Sequence, residues 1–224
     1  VDTSDTAIAV SFEDDGPTAA VSVSGVSVTH DETAGLQNAT ATPGVAGDAN
    51  DNDVANANLG TITGVYGSVG LLGGAQSTAQ VSTAGSGYGT DGAGTTVVTL
   101  TDASGGAFNG TPSLLQTTVG DQAINLYSEG DGKFVVGRYG TDGGDADSLP
   151  DNIAFVVALE ANGTITVAQY AAIDHGADGN DFDSSKSLAN LIYATVKVTD
   201  GDTDYQVDTS DTAIAVSFED DGPT

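Results

Sequence analysis

One stretch of the sequence occurs twice. Val1–Thr18 reads VDTSDTAIAVSFEDDGPT, and Val207–Thr224 repeats it without a substitution. The copies begin 206 residues apart, and chance does not produce an identical match of 18 residues. A parent chain built from near-identical units of this length is the simplest explanation. The sequence is therefore predicted to hold one unit of a tandem array and an overlap with the neighbouring unit.

The repeated stretch predicts a strand followed by a hinge. Ile8, Val10 and Phe12 alternate with small or polar residues, as in a half-buried strand. Three consecutive carboxylates and a Gly-Pro pair then end the strand. We therefore interpret 1–16 as the last strand and linker of a preceding unit, 17–219 as the unit itself, and 220–224 as the start of the next linker. The pattern between 34 and 120 is weaker and leaves open a long loop-rich insertion there.

Strand signals dominate the rest of the chain. The chain has 31 glycines and no cysteine, so turns are plentiful and no disulfide framework exists. Many short strands predict an all-β fold, an antiparallel β-sandwich. The rival architecture, a parallel β-helix, requires a short repeat period that is not found. The predicted strands are Thr61–Tyr66, Thr95–Thr101, Gln122–Tyr127, Lys133–Tyr139, Asn152–Leu159, Gly163–Tyr170 and Leu188–Thr199.

Details of the pattern refine this expectation. Asn152–Leu159 is apolar on both faces, which predicts a central strand. Asn162-Gly163 and Gly130-Asp131-Gly132 are hairpin signals. Single helical turns are expected within Ala168–Asp174 and Ser184–Leu191.

The charge of the chain is strongly negative. Against 32 acidic residues stand only Lys133, Arg138, Lys186 and Lys197, a formal net charge of −28. Such a surface repels nucleic acid and anionic membranes, and no apolar run approaches the roughly 20 residues of a membrane span. The acids comprise 27 Asp and 5 Glu, and aspartate suits turns and sites for hard cations. An acidic coat, as on proteins of high-salt environments, and calcium binding at some clusters are the two explanations.

Five groups of carboxylates are candidates for calcium ligands, because calcium prefers carboxylate, carbonyl and water oxygens. The D-x-D-x-D run after the long predicted strand lacks the glycine and glutamate of an EF-hand. A second group lies at the unit junction, where each copy of the repeated stretch holds two aspartates. The groups are Asp200, Asp202 and Asp204; Asp14 and Asp15 with their copies Asp220 and Asp221; Asp48, Asp51 and Asp53; Asp142, Asp145 and Asp147; and Asp178, Asp181 and Asp183.

Catalytic signals are weak. A G-x-G-x-x-G spacing at 87–92 has no strand-to-helix context, and Ser86–Asp91 is one imperfect match to the calcium nonapeptide of RTX rolls. His30 and His175 are expected at the surface. No group of nucleophile, base and orienting acid stands out, so the chain is predicted not to be an enzyme and to bind no small-molecule substrate.

Three segments carry a family resemblance. They read DGDTDYQVDTSDTAIAVSFEDDGPT from Asp200, HDETAGLQ from His30 and GTITVAQYAAIDH from Gly163. With the surrounding sequence, about 131–224 and 13–37, they resemble the extender repeats of giant RTX-type adhesins, bacterial surface proteins exported by type I secretion. The resemblance implies Ig-like or cadherin-like sandwiches in tandem, outside the cell, with calcium at their junctions. It also implies that Asp14, Asp15, Asp200 and Asp202 are ligands, although Thr203 stands where related repeats often have glycine.

Two classes of function follow from these features. The first is a structural spacer that projects a distal binding domain from the cell, whose partners are the neighbouring identical units. The second is a carbohydrate- or surface-binding module within the adhesin. The seven tyrosines are scattered rather than arranged as a rim, and near-identical repetition favours the spacer.

Overall fold

The computed structural model describes residues 6–33, 35–36, 51–143, 147, 149–177 and 184–220. These residues form fourteen strands and one α-helix, α1 (Gly60–Tyr66), and two short 3-10 turns at Asn56–Leu59 and Gly130–Gly132. The strands are β1 (Ser22–Val23), β2 (Ser27–Asp31), β3 (Gly73–Ala79), β4 (Val81–Ser82), β5 (Thr95–Thr101), β6 (Asn109–Gln116), β7 (Ala123–Glu129), β8 (Phe134–Tyr139), β9 (Asn152–Leu159), β10 (Thr164–Gln169), β11 (Ser185–Ser187), β12 (Tyr193–Thr199), β13 (Tyr205–Thr209) and β14 (Ala215–Glu219).

The largest sheet has six strands in the order β3-β10-β9-β8-β7-β6, and every neighbouring pair is antiparallel. Strand β9 lies inside it and confirms the predicted central strand. Phe155 and Val157 pack into the main core, whereas Val156 and Ala158 pack into a smaller core on the opposite face. Two hydrophobic faces on one strand explain why the sequence of β9 is apolar throughout.

Three smaller sheets accompany the six-stranded sheet: β11-β14-β2, β13-β12-β5 and the pair β1-β4. Residues from both three-stranded sheets share the main core with the six-stranded sheet. The Phe155 and Phe218 rings lie 5.0 Å apart between their centroids, at an angle of 41°. The fold is therefore the predicted all-β, Ig-like sandwich. Strand β14 pairs in parallel with β2, while the other strand pairs of the described residues are antiparallel.

Helix α1 covers the second face of the six-stranded sheet. The prediction of a strand at Thr61–Tyr66 is wrong, because Ile62 and Tyr66 lie on the apolar side of a helix and pack with Leu59 of the preceding 3-10 turn. The Tyr66 ring meets Phe134 edge-on, with 5.5 Å between the ring centroids. In the described part of the chain, neither α1 nor the 3-10 turns are long and apolar enough to cross a membrane.

Local predictions elsewhere have mixed outcomes. The hairpin at Asn162-Gly163 is confirmed, with Gly163 at a φ of +83° between β9 and β10. Both single helical turns are wrong, since Ser184–Leu191 contains the edge strand β11 and Ala168–Asp174 begins within β10. The long strand predicted at Leu188–Thr199 begins only at Tyr193, after a turn in which Asn190 has a φ of +59°.

The two copies of the repeated stretch lie in different environments. In the second copy, Ile214 and Phe218 are fully buried, and Phe218 belongs to β14 between β11 and β2. The equivalent side chains of the first copy, Ile8 and Phe12, are 91% and 94% exposed. Residues 7–17 form no strand. One amino-acid sequence is thus a core strand at one end of the unit and an exposed segment at the other.

Candidate metal centres

The linker of the first copy is fastened to the loop at 86–91. Pro17 is buried, and Thr18 forms two backbone hydrogen bonds with Gly87, of 2.8 and 2.9 Å. The backbone N–H of Thr90 donates to Asp15 Oδ2 at 2.9 Å. These contacts hold the acidic end of this segment against the loop at 86–91.

Carboxylates from three parts of the chain meet at this place. Asp14 of the linker, Asp91 of the loop and Asp202 of the β12–β13 turn each offer an oxygen, and these oxygens lie within 4.8 Å of one another. Three further aspartates, Asp15, Asp200 and Asp204, surround them. We call the six residues the junction cluster. Its oxygen-only donors and loop geometry suit a calcium ion, which takes 6–8 oxygens at about 2.3–2.6 Å.

Glycines let the two loops of the junction cluster approach closely. The Gly201 N–H donates to Gly92 O at 3.1 Å. A Cβ atom at Gly201 would lie 2.4 Å from Asp91 O, and one at Gly94 would lie 2.1 Å from Thr199 O. Any larger residue at either position would push the loops apart and separate Asp91 from Asp202.

The electrostatics of the junction cluster favour a cation. The negative charge of Asp202 is the main cause that raises the pKa of Asp204, followed by loss of hydration and the charge of Asp14. The pKa of Asp91 is also raised, by loss of hydration and then by the charges of Asp14 and Asp202. Asp200 is 3% exposed, and neither of its carboxylate oxygens has a hydrogen-bond partner among the described residues. A bound divalent ion would relieve this repulsion.

A second group of carboxylates is buried. Asp31, Asp51 and Glu219 are 4–5% exposed, and each offers an oxygen within 4.8 Å of the other two. We call these three residues the internal cluster. Asp53 lies beside them, 4% exposed, with its Oδ1 2.7 Å from His30 Nδ1.

Burial is the largest cause of the raised pKa values of Asp31 and Asp51 in the internal cluster. The pKa of Asp51 is raised to about 9, first by burial and then by the facing carboxyl group of Glu219 and the charges of Asp31 and Asp53. Burial also raises the pKa of Asp31, although the Thr33 N–H donates to its Oδ1 at 2.6 Å. Burial and the neighbouring carboxyl groups therefore oppose ionisation of Asp51 in the absence of a cation.

The structure brings together some of the carboxylates that the sequence singled out. Asp14, Asp15, Asp200, Asp202 and Asp204 meet in the junction cluster, while Asp51 and Asp53 are buried at the internal cluster. Asp142 and Asp147 belong to no group of three potential ligands among the described residues. Asp220 is described, and its N–H donates to Ser184 O at 3.1 Å. Asp48, Asp145, Asp178, Asp181, Asp183 and Asp221 lie outside the described residues.

Sequence reasoning missed three of the clustered carboxylates: Asp91, Asp31 and Glu219. Asp91 ends the Ser86–Asp91 segment, whose partial likeness to a calcium motif was the available signal. Glu219 is the copy of Glu13, the first of the three carboxylates that are predicted to end the repeated strand, and the structure places it within β14.

The expectation that both histidines lie at the surface is wrong. His30 and His175 are 3% and 7% exposed. His175 lies 3.8 Å from Glu32, between His175 Nε2 and Glu32 Oε1, and the Ile173 N–H donates to the same Glu32 oxygen at 2.8 Å. Burial lowers the pKa of His175, but the neighbouring Glu32 carboxylate outweighs it, so the pKa is raised. The run His30-Asp31-Glu32 thus directs three consecutive side chains into buried polar contacts.

Comparison with known protein families gives a match over most of the chain. The sequence profile of DUF5801, a domain of unknown function, matches residues 27–213. The chain belongs to this family. The matched region of the DUF5801 domain begins with β2 and ends just before β14. No curated protein and no solved structure matches the chain.

Proposed function

We propose that the chain is one spacer unit of a tandem array in a large bacterial surface adhesin, and that calcium ions at the unit junctions stiffen the array. The array projects distal ligand-binding domains from the cell. Its export, extracellular location and adhesive role rest on the resemblance to RTX-type extender repeats. The calcium-dependent junction rests on the described contacts.

One observation carries the proposal. Asp14, which lies in the repeated linker, reaches carboxylates of two loops in the unit that follows it. The same linker sequence recurs at Glu219–Thr224, beginning at the last residue of β14. In an array, Asp220 would therefore meet the next unit's copies of Asp91 and Asp202. Every junction would repeat the same group of ligands.

A calcium ion in this group would act mechanically. The linker residue follows directly on the last strand of one unit, whereas Asp91 and Asp202 belong to the loops of the next. An ion bound by all three would fix the Gly-Pro hinge and the angle between units. Without it, the carboxylates repel one another and the hinge is free to bend. Extracellular modules bind calcium with Kd values of roughly 10⁻⁴–10⁻³ M, so such junctions would fill outside the cell.

The alternative, a carbohydrate-binding module, lacks a supporting site in the described residues. An open cleft lies between the 81–84 segment and the β9–β10 turn, and its polar lining includes Thr96, Lys133, Glu160 and Asn162. No aromatic side chain lines this cleft. Ligand sites are usually rich in aromatic and apolar side chains that provide contact area.

Stiffening can be measured on a chain in which residues 19–224 are repeated once after Thr224. The protein has no cysteine, so a single cysteine at Val119, which is 82% exposed, can carry a spin label in each unit. Electron–electron resonance should give one narrow distance distribution in calcium and a broad one after chelation. Asp220→Asn should keep the distribution broad in calcium.

The repeated sequence supplies a matched control. Asp14→Asn changes the same residue in the same sequence, but at a linker with no preceding unit in this chain. It should leave the narrow distribution in calcium unchanged. A distribution that does not respond to calcium, or that sodium chloride at equal ionic strength narrows equally, would rule out the stiffening mechanism.

A further inference from the structure

We propose that Asp31, Asp51 and Glu219 form a second calcium site inside the unit, which fastens its last strand, β14, to β2. This site differs from the junction cluster in location and in ligands. Its donors are all carboxylate oxygens, which select hard cations over zinc or copper. Three carboxylates can supply up to six oxygens, enough for calcium with little or no retained water.

Asp51 provides the observation that points to a ligand. It is 4% exposed, and neither Oδ1 nor Oδ2 has a hydrogen-bond partner in the described part of the chain. Both of its cluster partners are carboxylates, which accept hydrogen bonds and do not donate them when ionised. A buried carboxylate without donors is costly unless a cation or a proton compensates it.

Asp31 and Asp51 lie close to residues that offer them little positive charge. His30 contacts Asp53, and Arg138 pairs with Glu129 at 2.8 Å between Arg138 Nε and Glu129 Oε1. In the described part of the chain, neither Asp31 nor Asp51 forms an ion pair with a lysine or arginine. One divalent ion would offset most of this local charge.

Backbone hydrogen bonds hold the three carboxylates in place. Asp31 and Glu219 are register partners at the end of the parallel pair of β2 and β14, and the Glu32 N–H donates to Glu219 O at 3.0 Å. Asn52, which follows Asp51, is hydrogen-bonded to Thr29 of β2 through both its backbone and its side chain. Its N–H donates to Thr29 O at 3.0 Å, and its Oδ1 accepts from the Thr29 N–H at 3.1 Å. The site is therefore preorganised rather than dependent on loop rearrangement.

The position of Glu219 relates this site to the proposed junction. Asp220 follows it and is the copy of Asp14. If the proposed tandem function holds, two consecutive linker residues bind ions in successive units, Glu219 in one and Asp220 in the next. Filling the internal site would then anchor the base of the linker that the junction ion immobilises. The internal site itself does not depend on the tandem function.

Calcium titration of the 224-residue chain, with calorimetry and chemical unfolding, tests the internal site. Asp51→Asn keeps the size of the side chain and removes one charge. It should abolish binding of one ion per chain or weaken it at least tenfold. In chelator, Asp51→Asn should be at least as stable as the parent, because the neutral amide leaves no charge at position 51 to be buried beside Asp31 and Glu219. In saturating calcium, it should be less stable than the parent.

The stability difference between Asp51→Asn and the parent should thus change sign between chelator and calcium, and this change distinguishes the possible roles of Asp51. Equal destabilisation in calcium and in chelator would mean a purely structural role and would overturn the proposal. A variant at least as stable as the parent in both conditions, with unchanged calcium binding, would mean that the cluster holds only a proton. Glu219→Gln should show the same reversal, and it replaces Asp51→Asn in the test if that variant does not fold. Asp211→Asn, at an exposed aspartate, is the charge-matched control and should show no reversal.

The junction cluster is tested separately in the same titrations. Asp202→Asn should remove junction binding and leave the ion that Asp51→Asn removes. Loss of the internal site with an intact junction site, or the converse, therefore identifies which of the two proposals fails.

Discussion

Replacing Phe218 with alanine is expected to lower the free energy of unfolding by about 3–5 kcal/mol, whereas Phe12→Ala should change it by less than about 0.5 kcal/mol. The two residues occupy the same position in the same 18-residue sequence. Phe218 is fully buried against Phe155, whereas Phe12 is 94% exposed. Truncation of Phe218 therefore leaves a cavity in the core, and truncation of Phe12 leaves none. Urea unfolding at low protein concentration measures both values.

The double variant controls for exchange between the copies. The first copy has the sequence of β14 and could replace a weakened β14, either within one chain or between two chains. If it does not, Phe12→Ala added to Phe218→Ala should cause no additional loss of stability. Equal losses for the two single variants would show that both copies pack in cores, contrary to the environments described above.

Calcium is expected to raise the free energy of unfolding of the 224-residue chain by several kcal/mol. An ion that binds only the folded state adds about 2.7 kcal/mol at a hundredfold excess over its Kd, and two filled sites would add about twice that. The formal net charge of −28 opposes compaction, and each ion removes two negative charges where carboxylates crowd together. Unfolding in calcium and after chelation measures the difference.

Screening is the competing explanation for such a gain. Sodium chloride at matched ionic strength screens the same repulsion without occupying a site. It should produce only a small part of the calcium effect. The effect of calcium should fall stepwise in Asp202→Asn and in Asp202→Asn with Asp51→Asn. An equal gain in sodium chloride would show that specific sites are not needed.

The strands that could be predicted from the sequence are those whose local pattern agrees with their packing. Strand β9 has hydrophobic residues on both faces because it has a core on each side, and the glycine turns beside it are clear. Helix α1 could not be predicted, because its β-branched residues favour a strand. The segment is helical because its apolar side packs on the second face of the six-stranded sheet, which no local pattern shows. Strand β11 is three residues of serine and lysine, too short to show a period, and exists because β14 offers it an edge.

The candidate sites also differ in how far they could be predicted from the sequence. Asp200, Asp202 and Asp204 are close in sequence, so a shared turn was sufficient to predict their proximity. In the internal cluster, the parallel pairing of β2 with β14 brings Asp31 beside Glu219, and the hydrogen bonds of Asn52 with Thr29 bring Asp51 to them. No local pattern encodes that pairing.

A crystal structure of the 224-residue chain grown in calcium tests the central claim most directly. With data collected to detect the anomalous signal of calcium, the account predicts an ion bound by Asp14, Asp91 and Asp202. Its calcium–oxygen distances should be about 2.3–2.6 Å, and the ion should join the repeated linker to the loops of the unit that follows. The contrary result is a calcium-saturated crystal in which these three carboxylates point into solvent with no ion between them.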